Sequence, residues 1–229
     1  VGSEMCIRDS LMYSWNKLPS SAPAPPTTGA ASGPRDPFPP TVWLLAGFAL
    51  FSGAGMQATN VYLPMFAQRE LDFSLLMAGA AGVVGVAARV MWGRRIAGGT
   101  GVASLLLILA LGAIGGTALL LLAGQTGMPV LMWAGVALHG ATVLGVNVVV
   151  MAGAMREVEP ARVGAASGVV SLGMYVGFAS GPLAMGLLLQ YSGGFLAGWL
   201  FVASGYLLCV VLGLVLRRMT ARTAAVAET

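Results

Sequence analysis

Gln57, Asn60, His139 and Thr142 are the side chains whose chemistry is least at home in their surroundings, because each stands inside a long apolar run. Gln57 and Asn60 share a stripe with Gly53 and Pro64, at offsets of four, seven and eleven from Gly53. At about 100° per residue that spacing is one face of a helix. An amide in an apolar medium must find a partner or a wet cavity. The stripe therefore reads either as a substrate-facing surface or as hydrogen bonding between helices that holds a bundle together. Pro64 removes the donor for the carbonyl near Asn60 and predicts a kink or an unwound turn there.

His139 is the one histidine of the chain. Thr142 lies about 60° from it around the helix and Asn147 about 80° the other way. An imidazole in this setting can relay protons or bind a substrate. Arg89 is the one charge well inside an apolar run. It reads as an anion contact, or as a side chain that snorkels to the interface or caps a neighbouring helix end.

A second helix carries two stripes. Gly173, Gly177 and Gly181 recur every four residues, followed by Pro182, a spacing that lets two helix backbones approach closely. Ser167, Ser171 and Tyr175 recur at the same interval on a roughly opposite face. The glycines predict packing. The hydroxyls suit a wall facing a water-filled path, or bond back to their own helix.

Other chemistries lack their residues. Cys6 and Cys209 are the only cysteines, so no metal-ligand spacing exists and neither metal nor cofactor is expected. There is no phosphate-binding loop and no HExxH. A serine protease within the membrane would need a base beside Ser167. The Ala165-Ala166-Ser167-Gly168 context and the order of His139 before Ser167 fit no such pattern, so an enzyme is not expected.

The elements that position these residues follow from composition. Of 229 residues, 57% are hydrophobic and 9% charged, with a mean hydropathy of +0.85. A soluble domain carries about 25% charged residues, which excludes an ordinary water-soluble globule. Residues 41–66 contain no charge at all. A span of about 20 apolar residues crosses the hydrocarbon core. Six such segments are predicted, at about 41–66, 72–95, 101–123, 129–154, 163–189 and 194–217. Residues 11–40 hold eight of the twelve prolines and predict a disordered linker, and 219–229 form a short tail.

Orientation comes from the basic residues. Lys17, Arg35, Arg94, Arg95, Arg156, Arg162, Arg217, Arg218 and Arg222 fall in one set of connections, and Arg69 alone in the other. That asymmetry places both ends in the cytoplasm, as an even number of spans requires. The net charge of +4 thus reports cytoplasmic loops rather than nucleic-acid binding.

Residues 1–10, Val-Gly-Ser-Glu-Met-Cys-Ile-Arg-Asp-Ser, resemble the translation of a transposase adapter used in DNA library preparation. The resemblance implies that the natural chain begins upstream of a junction near Leu11.

Three stretches carry a wider resemblance. They are Arg89-Val90-Met91-Trp92-Gly93-Arg94-Arg95, the approach Pro160-Ala161-Arg162-Val163-Gly164-Ala165-Ala166-Ser167-Gly168, and the run from Gly177 to Gly186 containing Gly181-Pro182. In this order they resemble the C-terminal six-helix half of a major facilitator superfamily transporter. The Asp that the family often places in the loop after the first stretch is missing, with Ala97-Gly98-Gly99 in its neighbourhood. The resemblance implies two inverted three-helix repeats in an all-α membrane fold, rocking against a missing N-terminal six-helix half around a midplane site. It implies that Gln57, Asn60, His139 and Thr142 lie on cavity-lining helices, and that the glycines of the fifth span face the other half. The function expected is a fragment of a secondary transporter moving a small solute across a bacterial inner membrane. The alternative is a complete six-span protein that acts as a homodimer or as a non-catalytic membrane subunit.

Overall fold

The computed structural model describes residues 37–71, 92, 94, 95 and 101–227. The expectations for residues 1–10, for nearly all of the linker, for most of the second span and for Arg89 lie outside them. Of the second span, Trp92, Arg94 and Arg95 are helical.

Five long helices make up the described chain, α1 (Pro40–Leu71), α2 (Val102–Thr126), α3 (Pro129–Arg156), α4 (Val163–Ser192) and α5 (Phe195–Ala227), with a single 3-10 turn at Pro160–Arg162. No strand occurs among the described residues. All five helices are long and apolar enough to cross a membrane.

Their ends follow from local chemistry. Gly127 closes α2 at φ 66° and its N–H donates to the Ala123 carbonyl, a left-handed conformation that a side chain would strain. Pro129 then opens α3, where its missing N–H costs nothing. Gly193 closes α4 in the same way at φ 70°, its N–H donating to the Leu189 carbonyl.

Two helix ends and one interior position differ from the sequence expectation. The break expected at 67–71 is the last turn of α1, which runs on to Leu71. Gln68 and Arg69 are exposed there, and a basic side chain suits the negative end of a helix. Pro64 does not unwind α1, because its fixed φ is helical and only one carbonyl loses its donor. The tail beyond residue 217 continues α5 to Ala227, in an alanine-rich stretch of high helix propensity.

Close backbone approach sets the packing. Along α4, a Cβ at Gly173 would stand 2.5 Å from the Ala46 carbonyl, and those at Gly177 and Gly181 would run into the carbonyls of Leu50 and Ala54. The glycine stripe is therefore spent on α1, within this bundle. The resemblance placed it against a missing half, and a sequence periodicity does not specify which neighbour it meets. Between α2 and α3, Gly116 admits the His139 backbone, and a Cβ at Gly135 would meet the Gly116 carbonyl at 3.0 Å. The core holds Leu45, Phe48, Leu105, Leu109, Val149 and Trp199, all nearly fully buried.

Large aliphatic side chains also cover the outside, among them Leu111, Val130, Leu172, Leu183 and Leu207. A surface of that kind suits hydrocarbon rather than water. The helices are unequally covered. Of the apolar window of α4 17% is buried, against 50% to 56% in α1, α2 and α3.

Candidate functional site

The polar residues fall into two places. One is interior. His139 is buried on α3, and its Nε2 lies 2.8 Å from the Tyr206 hydroxyl of α5 and 3.5 Å from Thr59 Oγ1 of α1. Thr59 already donates its hydroxyl proton to the Gly55 carbonyl at 2.8 Å. Tyr206 is therefore the donor to His139 Nε2, which assigns the proton of the neutral ring to Nδ1. The two rings also meet edge to face, with centroids 5.6 Å apart.

Two glycines make room for this pair. A Cβ at Gly55 would stand 2.7 Å from Tyr206 Cζ, and one at Gly116 2.8 Å from His139 Cβ. Four helices thus converge on a single imidazole. Thr142, three residues on, hydrogen bonds back to the carbonyls of Leu138 and His139, and its methyl fills the notch at Gly112. It satisfies its own helix and makes no side-chain partnership with His139.

The second place is the seam between α1 and α4. Gly53, the first residue of the α1 stripe, lies against Met174 and Phe178, where a Cβ would come within 2.9 Å of the Met174 carbonyl and 3.2 Å of Phe178 Cδ1. Phe178 in turn meets Tyr175 edge to face at 5.8 Å. One turn and two turns further along α1, Gln57 is half-buried and Asn60 exposed. On α4, Ser171 is half-buried and Tyr175 is 62% exposed. Gln57 and Asn60 lie beyond Ala54, the partner of Gly181, whereas Ser171 and Tyr175 lie level with the part of α1 that meets Gly173 and Gly177, so the two stripes stand at different heights of the α1–α4 packing. Ser167 begins the α4 stripe, and its hydroxyl is buried without a hydrogen-bond partner.

The structure thus separates the four residues singled out from the sequence. Gln57 and Asn60 lie beside the α1–α4 seam, while His139 and Thr142 lie in the interior. Thr59 and Tyr206, the partners of His139, were not singled out. A lone tyrosine and a lone threonine among apolar residues carry no spacing signal. The available hint is Gly55 four residues before Thr59, and it becomes informative only once Tyr206 is seen to occupy its notch.

Around the arginine-rich end, basic side chains make two aromatic contacts. The Arg162 guanidinium lies 4.5 Å from the Phe38 ring, tying the entries of α1 and α4 together. Arg95 lies 5.6 Å over Trp92, whose Nε1 donates to the Ala141 carbonyl of α3 at 2.7 Å. Arg94, Arg95, Arg156, Arg217, Arg218 and Arg222 are exposed, as charges at a membrane surface are.

No protein-family model matches this chain, and no curated protein matches it either.

Proposed function

We propose that this chain is the C-terminal six-helix half of a secondary transporter of the major facilitator type. It moves a small solute across a bacterial inner membrane by alternating access, with both ends in the cytoplasm. The observation that carries the reading is the amide pair on α1, Gln57 half-buried and Asn60 exposed, beside the packing of α1 on α4. Amides that the bundle does not cover are costly against hydrocarbon and sit well against a wet path or a polar partner bundle. The sparse burial of α4 supports the same conclusion, since that helix has its glycine face on α1 and little else covering it.

In this reading the missing half covers α4 and closes the seam, and solute meets Gln57 and Asn60. The interior His139–Tyr206 pair holds α3 to α5 while the seam opens and closes. The DNA preceding the codon for Leu11 tests the proposal. Six further apolar spans in the same frame support it. A ribosome-binding site and a start codon beside Leu11 overturn it in favour of a stand-alone six-span protein, whose α4 face would then take a second copy.

A further inference from the structure

The arginine-poor end of the bundle holds two adjoining cavities with different walls. The larger, about 210 Å³, lies among Phe66 of α1, Leu121 and Gln125 of α2, and Phe195 and Trp199 of α5. The smaller, about 90 Å³, lies beside Arg69, Leu189 and Gly193. Gly194 and Phe195 line both, so the two meet at the start of α5.

Each wall has its own chemistry. The floor of the larger cavity is aromatic, with Phe66 edge to face against Phe195 at 5.3 Å and against Trp199 at 5.2 Å. Its volume exceeds the ~150 Å³ of a dry apolar cavity that takes up benzene. Leu196, 53% exposed, also lines it, so the cavity opens beside the outward-facing aliphatic surface. The smaller cavity is polar. Arg69 is exposed at its edge, and α5 begins there with no acidic residue in its first turn. The first N–H groups of a helix lack partners within it and attract phosphate.

We propose that this end binds one molecule of a membrane glycerophospholipid. The phosphodiester lies between Arg69 and the N-terminus of α5, and the glycerol ester and the first carbons of one chain enter the aromatic cavity. A cation and free N–H groups beside a cavity that opens on the apolar flank select a ligand that is anionic at one end and hydrocarbon at the other. A free anion leaves the aromatic cavity unfilled, and a neutral lipid leaves Arg69 and the helix terminus unused.

The test is native mass spectrometry of the full chain in detergent, with dioleoylphosphatidylglycerol or with dioleoylglycerol, which has the same chains and no phosphate. Two variants separate the walls. Arg69→Gln removes the cation from an exposed position. Gly194→Leu fills the junction, where a Cβ would meet nothing within 4 Å and the backbone has no positive φ. The unaltered chain should retain the phospholipid in preference to the diacylglycerol. Each variant should lower phospholipid retention about fivefold, the scale of one basic side chain at a lipid headgroup. Equal retention of both lipids, or unchanged phospholipid retention in Arg69→Gln, overturns the proposal. Should Gly194→Leu fail to fold, Arg69→Gln decides alone.

Discussion

The Tyr206 hydroxyl and His139 Nε2 meet at 2.8 Å in the middle of the bundle, joining α5 to α3 through the only histidine in the chain. In Tyr206→Phe the ring still fills the Gly55 notch, but Nε2 keeps only the long contact to Thr59. The expected loss is about 1 kcal/mol, within the range found for side-chain hydrogen bonds inside membrane bundles. Unfolding of the variant in mixed micelles measures it. Thr59→Val should cost less, because its 3.5 Å contact is at the limit of a hydrogen bond. A Thr59→Val loss larger than that of Tyr206→Phe would reverse the assignment of donor and acceptor.

Backbone contact between α4 and α1 makes a second prediction. Gly177→Ala places a methyl against the Leu50 carbonyl and the Ala54 nitrogen, both main-chain atoms that cannot rotate away. The two helices must then separate, and the loss should be about 2 kcal/mol or more. Gly168→Ala on the same helix is the control, since a Cβ there meets nothing within 4 Å. It should be neutral or slightly stabilising, as alanine is the better helix former. Thermal unfolding of the two variants side by side decides the matter.

These two sites show what can be read from a linear sequence. The turn between α2 and α3 was visible because Gly127 and Pro129 are each required by a local backbone conformation. The close-packing glycines were visible for a similar reason, since a four-residue period is a property of one helix. Their partner was not, because nothing in Gly173, Gly177 and Gly181 encodes that Ala46, Leu50 and Ala54 will face them. Tyr206 and His139 stand 67 residues apart and meet only through the packing of α5 on α3. Helix ends past the apolar runs were also missed. Hydropathy reports where hydrocarbon begins, whereas α1 and α5 stay helical into the polar zone, where side chains such as Arg69 and Arg217 are exposed.

Cys209 reports on the same packing from α5. It is buried, with its thiol 3.7 Å from the Phe48 carbonyl of α1. A membrane-permeant maleimide should label it slowly in the folded protein and fully after denaturation. The exposed Ala221, past Arg217 and Arg218 and so beyond the apolar run, replaced by Cys in a Cys209→Ser background, should label readily in the fold. Equal rates at the two positions would contradict the seating of α5 against α1.

The arrangement of charge predicts the sidedness of the chain. Reporter fusions at residues 36 and 229 should show the same, cytoplasmic compartment, because the exposed Arg94, Arg95, Arg156, Arg217 and Arg218 lie at one end of the bundle. A reporter in the turn after Ser192 should appear on the opposite side, as the antiparallel course of α4 and α5 requires. Reporters at the two ends in different compartments would overturn the six spans expected from the sequence.

The seam gives the prediction closest to function. If the proposed transporter reading holds, then in the chain joined to an N-terminal six-helix half Asn60→Ala and Gln57→Ala should lower transport about tenfold while leaving the amount inserted in the membrane unchanged. Asn60 is exposed and Gln57 half-buried, so neither truncation opens a hole in the packed core, unlike a change at Leu105 or Val149. A substrate contact shared by both states raises KM, whereas one made only during the crossing lowers the maximal rate. Thr142→Val provides the contrast. Its hydroxyl is already bonded to the Leu138 and His139 carbonyls, so it should change stability slightly and transport kinetics not at all. Wild-type kinetics in both amide variants, with Thr142→Val impaired, would move the proposed solute path from the α1–α4 seam into the bundle interior.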